Sequence, residues 1–254
     1  MGKASRLLLA PLKLYRNRHD PLLNLRILRE IGAMVIPEYR FKWPQLDWWQ
    51  DEEFDAYLER FGELSGLNTD RRWMLSQLLR LTTGVAGDTA ECGVFEGSSS
   101  YLICKANAMQ PVFERTHYAF DSYEGLSQPG MEDGSHWTPG DLWAEVETVR
   151  SNLAGFTRVE IMKGWIPERF PEVAECRFAF VHIDVDLEQP TRDSIEFFYP
   201  RMNSGGIIVC DDYGFSTCPG ATRAIDSYLG DKPEKMLAMS GGGGFLIAGC
   251  QTGP

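Results

Sequence analysis

The chain has 254 residues, 43% apolar and 24% charged, and is long enough to bury a core without disulfides or a structural metal. Its net charge of −11 disfavours a nucleic-acid binder, which needs a basic surface to displace counterions from phosphates. The charge is uneven, because residues 1–30 carry seven Lys or Arg against two acids, a net +5, which leaves −16 on the rest. The sequence therefore predicts an acidic body with a basic N-terminal arm.

The cysteines and the N-terminus bear on the compartment. None of the six cysteines forms a CxxC pair, and no histidine lies close enough in sequence for a zinc knuckle. The first apolar run extends only from Leu7 to Ala10, too short for a signal peptide, and no apolar stretch reaches the ~18 residues of a membrane-spanning helix. We expect a cytoplasmic protein without a transmembrane segment. The basic arm is compatible with a solvated helix, an oligomer contact or an anionic membrane surface.

The N-terminal part of the chain has helical periodicity. Apolar residues recur at helical spacing in three stretches that begin near Leu22, Phe54 and Trp73. Prolines such as Pro37 and Pro44 separate the stretches. This pattern predicts a helical N-terminal layer over residues 1–75, followed by a second domain over 76–254.

The second domain alternates short apolar runs with helical segments. Strands are predicted at Thr89–Phe95, His117–Asp121, Val159–Met162, Phe178–Val185 and Ile207–Asp211, with a closing pair at Lys235–Met239 and Phe245–Ala248. Helices are predicted near 98–109, 141–154, 190–200 and 219–229. This rhythm predicts an α/β doubly wound, Rossmann-like sheet. Such sheets bind ligands outside the carboxyl ends of their strands, so the residues that follow each strand are the candidates for a site.

The first strand leads into a glycine-containing turn. Glu91 lies on the strand, and Gly93 and Gly97 bracket a turn that would let backbone N–H groups approach a ligand. Ser98 and Ser99 then begin a helix, where a ligand carboxylate could be bound. The spacing is not the GxGxxG dinucleotide fingerprint, and any strand-to-helix turn also favours glycine.

Two further strand ends carry candidate ligand contacts. Asp121 ends the second strand, where an acid could accept hydrogen bonds from ribose hydroxyls or simply cap the next helix. Trp165 follows the third strand, where it could stack on adenine or lie in the core.

Four aspartates follow two of the strands. Asp184 and Asp186 end FAFVHIDVD, on one face if the strand continues, and Asp211 and Asp212 end GGIIVCDD. Carboxylates that converge in one cleft repel each other unless they are protonated or neutralised by a cation. Ligands that are all oxygen indicate Mg²⁺, Mn²⁺ or Ca²⁺. Helix capping would explain one pair but explains both poorly, so we favour a metal site.

Weaker candidates lie nearby. His182 precedes the first acid pair and is interpreted as a hydrogen-bonded core histidine. The loop 122–140 is long for its type and could cover the site, with His136 as a candidate substrate contact beside Trp137.

Taken together, the motifs ECGVFEGSSS, YAFDSYEGL, KGWIPE, HIDVDLEQPT and IIVCDDYGFSTCPGATRAID resemble the macrocin O-methyltransferase (TylF-type) family over roughly residues 70–250. The chain is also distantly similar to catechol O-methyltransferase. The resemblance implies a class I methyltransferase that uses S-adenosylmethionine and Mg²⁺ (or Mn²⁺) to methylate a sugar hydroxyl of a glycosylated natural product or polysaccharide. It further implies that the N-terminal layer is a lid and a possible homo-oligomer contact.

The resemblance also implies roles for individual residues. The implied cofactor-binding positions are Glu91, Gly93, Phe95, Gly97, Ser98, Ser99, Asp121, Gly164 and Trp165. The implied metal ligands are Asp184, Asp211 and Asp212, and Asp186 is the implied general base. Some relatives are thought to have a histidine base just beyond the first metal aspartate, where this chain has Leu187 and Glu188, so Asp186 is the better candidate.

Other functions remain open at this point. A catechol-like enzyme that acts on a phenol would use the same metal, and a non-catalytic subunit would bind S-adenosylmethionine alone. A nicotinamide-dependent oxidoreductase is disfavoured, because the glycine spacing is wrong and hydride transfer has no use for four converging carboxylates.

Overall fold

The chain divides into two compact units, Met1–Trp73 and Met74–Pro254. The computed structural model describes residues 3–35, 46–64, 66–110 and 112–253. The division falls two residues before the expected boundary and inside a helix, and each unit is described by itself. Pro37 and Pro44, which separate the predicted helices, lie outside the described residues.

The first unit is helical, as its periodicity predicts. Its helices are α1 (Lys3–Arg16), α2 (Pro21–Val35), α3 (Glu52–Arg60) and the beginning of α4 (Thr69–Leu81). Asp51 caps α3, since its Oδ1 accepts a hydrogen bond of 2.8 Å from the backbone N–H of Phe54. The rings of Trp48 and Phe54 contact Trp73, with centroids 5.5 and 5.1 Å away, and these aromatic contacts form a small core.

The second unit contains a seven-stranded sheet. Its strands are β1 (Asp88–Cys92), β2 (His117–Asp121), β3 (Val159–Lys163), β4 (Phe178–Ile183), β5 (Met202–Cys210), β6 (Leu237–Ala238) and β7 (Gly244–Ile247). Its helices after α4 are α5 (Ser98–Ala108), α6 (Val146–Leu153), α7 (Glu188–Phe198) and α8 (Pro219–Leu229). The strand order is β3-β2-β1-β4-β5-β7-β6, with β1 to β5 parallel and β7 antiparallel to both of its neighbours. The predicted doubly wound α/β sheet is therefore confirmed.

Side chains alternate along β1, so its apolar and its ionisable residues face opposite sides of the sheet. Ala90 and Cys92 face a large apolar core that includes residues of α7 and α8. Glu91 faces the opposite side and pairs in register with His182 of the neighbouring β4. Polar side chains of two adjacent strands therefore lie together on this face of the sheet.

Two strands end earlier than their apolar runs suggest. β1 ends at Cys92 because Gly93 has a left-handed φ of +83°, and a Cβ there would lie 1.8 Å from the carbonyl oxygen of Asp184. β4 ends at Ile183, and Asp186 has a φ of +59° in a tight turn. The expectation that Asp184 and Asp186 share one face of a continuing strand is therefore wrong.

Among the described helices, none combines the length and apolar character needed to cross a membrane. The six cysteines are free thiols, and Cys92, Cys104 and Cys210 are buried.

Candidate functional site

The loop between β1 and α5 is a glycine loop, which we define as residues 93–97. Its backbone is left-handed at Gly93, Phe95 and Gly97, a conformation that an aromatic residue such as Phe95 rarely adopts. Gly97 is the N-cap residue of α5, and Ser98 and Ser99 form the first turn of that helix. Four of the five N–H groups of this loop already donate within the protein, that of Gly93 to Phe120, those of Val94 and Phe95 to Asp121, and that of Gly97 to Val94. The first turn of α5, which follows the loop, is therefore the part of this segment that suits an anionic group.

Asp121 fastens the glycine loop to the end of β2. Its Oδ2 accepts hydrogen bonds from the backbone N–H groups of Val94 (2.7 Å) and Phe95 (3.0 Å), and its Oδ1 accepts one from Tyr123 (2.6 Å). The side chain remains half-buried. Asp121 therefore has a structural role that the sequence does not reveal, and its predicted contact with a ribose stays a prediction.

Glu91 lies in a buried polar network. Its carboxylate is fully buried, accepts a short hydrogen bond from the Ser100 hydroxyl, and lies 2.8 Å from Nδ1 of His182. His117 joins this network through Ser100, with 3.2 Å between Nε2 and Oγ. Burial by itself would raise the pKa of Glu91, but hydrogen bonds from His117 and His182 outweigh it and hold that pKa well below its usual range.

His182 links this network to the acids on the other side of the site. Burial lowers the pKa of His182, but the neighbouring carboxylates of Asp211 and Glu91 raise it more, to about 10. Its Nε2 lies 3.6 Å from Oδ1 of Asp211. His182 is the buried, hydrogen-bonded histidine that the sequence predicts.

The end of β3 completes the predicted cofactor side. The Gly164 backbone N–H donates to the carbonyl oxygen of Asp121 at 3.0 Å, which joins the ends of β2 and β3. Trp165 is half-buried next to it. The adenine role of Gly164 and Trp165 stays a prediction, but both lie at the edge of the sheet where such a ligand would lie.

The four aspartates that follow β4 and β5 form what we call the acid cluster: Asp184, Asp186, Asp211 and Asp212. They fall into two groups of donor atoms, each within 4.8 Å, one with His182, Asp184 and Asp211 and the other with Asp186, Asp212 and Cys218. The predicted ligand set of Asp184, Asp211 and Asp212 thus spans both groups. Which three of the cluster would bind a cation stays a prediction.

The electrostatics of the acid cluster suit a cation. Asp212 is buried, and burial followed by the charges of Asp186, Asp184 and Asp211 raises its pKa well above the usual value. The Asp186 backbone N–H donates to Oδ2 of Asp212 at 2.8 Å, which fixes the turn. Carboxylate oxygens crowded in this way match the ligand preference of Mg²⁺ or Mn²⁺.

Several residues of the site were not predicted from the sequence. Ser100 and His117 belong to the Glu91 network, and the Cys218 thiol lies 3.6 Å from Oδ1 of Asp186. Cys218 is 32 residues from Asp186 in sequence, and no local pattern signals the contact. For Ser100 the only sequence signal is the GSSS run, in which it is one of three serines at the beginning of a helix.

The sequence model of the macrocin-O-methyltransferase (TylF) family matches residues 74–234, which is most of the second unit. The chain belongs to the macrocin-O-methyltransferase (TylF) family. The family assignment from the motifs is confirmed.

Curated relatives of this TylF-family chain are O-methyltransferases of two Streptomyces species. The chain is 30% identical over 154 residues to an 8-demethyl-8-(2,3-dimethoxy-alpha-L-rhamnosyl)-tetracenomycin-C 4'-O-methyltransferase of Streptomyces olivaceus, which covers 56% of this chain and 59% of that protein. It is 30% identical over 156 residues to the demethyldecarbamoylnovobiocin O-methyltransferase of Streptomyces niveus, with 57% and 58% covered. The chain thus spans less than two thirds of the length of these relatives.

The TylF-family fold also matches solved structures. The structure of the O-methyltransferase NovP is similar with a TM-score of 0.62 and 25% identity, over 70% of this chain and 79% of that one. The structure of the calicheamicin methyltransferase CalS11, at 20% identity, has the same fold, with a TM-score of 0.64 over 78% and 86% of the two chains.

Proposed function

We propose that the protein is an S-adenosylmethionine-dependent O-methyltransferase that methylates a hydroxyl of a sugar moiety, assisted by Mg²⁺ or Mn²⁺. The observation that carries the proposal is the close approach of Gly93, in the glycine loop, to the backbone carbonyl of Asp184, in the acid cluster, since a Cβ on Gly93 would lie 1.8 Å from that oxygen. The proposed cofactor side and the acid cluster thereby share one edge of the sheet. One curated relative is named as the 4'-O-methyltransferase of a rhamnosyl-tetracenomycin, and this name supports a glycoside acceptor.

The cofactor side is formed by the ends of β1, β2 and β3. S-adenosylmethionine, when bound, supplies an electrophilic methyl group on sulfur. The first turn of α5 at Ser98 and Ser99 suits its carboxylate, Asp121 suits its ribose, and Trp165 suits its adenine. Glu91 would support the cofactor site indirectly, because its buried carboxylate accepts a hydrogen bond from Ser100 near the beginning of α5.

The acid cluster forms the acceptor side. A divalent cation, when bound, supplies positive charge that lowers the pKa of a hydroxyl close to it. Asp184, Asp211 and Asp212 would hold that cation, and their mutual repulsion favours its binding.

Asp186 is the residue that accepts the acceptor's proton. Its carboxylate is buried, its backbone is fixed by the bond to Asp212, and its Oδ1 lies next to the Cys218 thiol. A carboxylate at this position would orient the acceptor hydroxyl and accept its proton during methyl transfer.

A methyl-transfer assay tests the proposal. The purified protein is incubated with S-adenosylmethionine and a panel of p-nitrophenyl glycosides, nucleotide sugars and catechols, with Mg²⁺ or with excess EDTA. We expect methylation of a sugar hydroxyl that EDTA abolishes and Mg²⁺ restores. Transfer that survives exhaustive EDTA treatment would exclude the metal, and transfer to catechols alone would replace the sugar acceptor by a phenol. Binding of S-adenosylmethionine without transfer to any acceptor would indicate a non-catalytic subunit.

A further inference from the structure

A closed loop connects β2 to α6, and we define its residues 126–141 as the covering loop. Its two ends are held together, because the Leu126 N–H donates to the carbonyl of Asp141 at 2.8 Å and the Gly140 N–H donates to the carbonyl of Leu126 at 2.9 Å. Gly125 precedes this closure with a φ of +84°, and a Cβ there would lie 2.5 Å from the carbonyl oxygen of Gly140. The excursion is therefore a compact loop with a fixed base rather than an open connection.

Asp133 anchors the covering loop to two helices of the second unit. Only 4% of Asp133 is exposed, and its carboxylate accepts hydrogen bonds from Gly130 N–H (2.7 Å) and from Glu188 N–H (2.6 Å) at the beginning of α7. At the beginning of α8, a Cβ on Gly220 would lie 2.2 Å from Oδ1 of Asp133, so only glycine admits the carboxylate. A buried acid bonded in this way is costly to move.

The strand order shows where the covering loop must lie. It leaves the sheet at β2, but its anchors are on helices that follow β4 and β5. Because β1 lies between β2 and β4, the loop crosses the carboxyl end of β1, where the glycine loop is located. It therefore covers the edge at which the predicted cofactor and cation sides meet.

Trp137 is the covering-loop residue that reaches the acid cluster. Its Nε1 donates to the thiol of Cys218 at 3.4 Å, and that thiol lies 3.6 Å from Oδ1 of Asp186. The ring of His136 contacts the indole edge to face, with centroids 4.6 Å apart. An aromatic surface is thereby fixed one side chain away from the carboxylate to which we assign the acceptor's proton.

We propose that Trp137 determines acceptor specificity by packing against the sugar ring, and that Asp133 is the positioning residue that holds Trp137 in place. The inference rests on the proposed function and names a contact within that site. A rigid indole suits the apolar face of a sugar, and a few well-placed aromatic groups are typical of small-molecule sites.

The test compares Trp137→Ala and Trp137→Phe with wild type on the p-nitrophenyl glycoside that wild type methylates best. We expect Trp137→Ala to raise the acceptor KM at least tenfold, with kcat changed less than threefold and the Kd for S-adenosylmethionine within twofold. Trp137→Phe retains a ring and should restore most of the acceptor affinity. The matched control is Trp143→Ala, because Trp143 is 61% exposed, and it should leave all three constants unchanged.

Asp133→Asn tests the positioning role. Asn offers one acceptor oxygen where the carboxylate uses two, so we expect a KM increase like that of Trp137→Ala and faster hydrogen exchange at the amides of Gly130 and Glu188. If Asp133→Asn does not fold, the two Trp137 variants still decide the inference.

The outcomes are distinguishable. An unchanged acceptor KM in Trp137→Ala, or an equal loss of S-adenosylmethionine affinity, would overturn the inference while leaving the proposed function intact. A wild-type protein that binds S-adenosylmethionine but methylates no glycoside would overturn the proposed function and, with it, the acceptor role of Trp137.

Discussion

The two sides of the candidate site use their carboxylates in opposite ways. On β1 and β2, protein groups already bind the acids, since Glu91 contacts Ser100 and His182 and Asp121 accepts three backbone N–H groups. After β4 and β5, the acids crowd one another, and burial and neighbouring charges raise the pKa of Asp212. The same residue type thus supports the backbone on one side and concentrates negative charge on the other.

This difference teaches how to assign an acid at a strand end. Donors that surround a carboxylate lower its pKa and make it part of the scaffold, as at Glu91. Carboxylates that surround a carboxylate raise its pKa and favour a cation. The contrast predicts that substitutions on the β1 side change stability first, whereas those on the β4 and β5 side change chemistry first.

The largest expected effect is on turnover, at Asp186. Asp186→Asn removes the proton acceptor, and loss of a general base lowers kcat by about 10²- to 10⁴-fold. The Kd for S-adenosylmethionine, measured by calorimetry, should change little. Asp231→Asn is the control, because that side chain is 79% exposed and distant in sequence from the site. A kcat within tenfold of wild type would remove Asp186 from the role of base.

The next largest effect is on stability, at Glu91. Glu91→Gln leaves a buried His182 without its charged partner, and breaking a buried pair in this way costs about 3–5 kcal/mol of unfolding free energy. Urea denaturation measures the loss. Glu147→Gln, which breaks an exposed ion pair with Arg150, should cost less than about 1 kcal/mol.

The pH dependence of the same variant sharpens the comparison. Because the folded-state pKa of Glu91 lies well below its ordinary value of 4.5, its carboxylate stabilises the fold above pH 4.5, and this contribution is lost as the pH falls below that value. Wild type should therefore lose more stability than Glu91→Gln between pH 6 and pH 3. Parallel stability curves for the two proteins would contradict the lowered pKa.

A smaller effect is expected at Gly93. Gly93→Ala combines a left-handed backbone with a Cβ in the path of the Asp184 carbonyl, and we expect a loss of about 3 kcal/mol in unfolding free energy. Gly155→Ala is the matched control, because no atom lies within 4 Å of the position of its Cβ. Equal stability of the two variants would contradict the close approach of Gly93 to the carbonyl of Asp184.

The smallest expected effect is stabilisation by metal. Mg²⁺ added to metal-stripped protein at about a hundred times its Kd should stabilise the fold by about 2.7 kcal/mol. For a chain of this size, that raises Tm by about 5–10 °C. Asp211→Asn should abolish the rise, and Asp193→Asn on α7 should retain it. An equal rise in both variants would place the cation outside the acid cluster.

Much of the fold could be predicted because its signals are local. The predicted strand His117–Asp121 matches β2, and helix α8 begins at Pro219 as its sequence indicates. The predicted ends of β1 and β4 were too late, since the apolar runs continue through Val94 and Val185 after the backbone has already turned. At the end of β1, the carbonyl of Asp184 leaves room only for glycine at position 93. This contact comes from a residue distant in sequence, so no local pattern reveals it.

The site could be predicted only in part, for the same reason. The acids directly follow the apolar runs of two neighbouring strands, so all four members of the acid cluster could be predicted from the sequence. The contacts that tune them connect distant residues, such as Asp133 with Glu188 across 55 positions. No period or motif encodes such a pair, because it forms only when the covering loop meets α7.

The close approach of Gly93 to the carbonyl of Asp184 has a consequence for engineering. The two proposed sides of the site are brought together there by backbone atoms, which leaves no side chain available for adjustment. The covering loop, in contrast, contacts α7 and α8 through the side chains of Asp133 and Glu132. Libraries aimed at new acceptors should therefore vary the covering loop, keep its anchor Asp133, and leave position 93 as glycine.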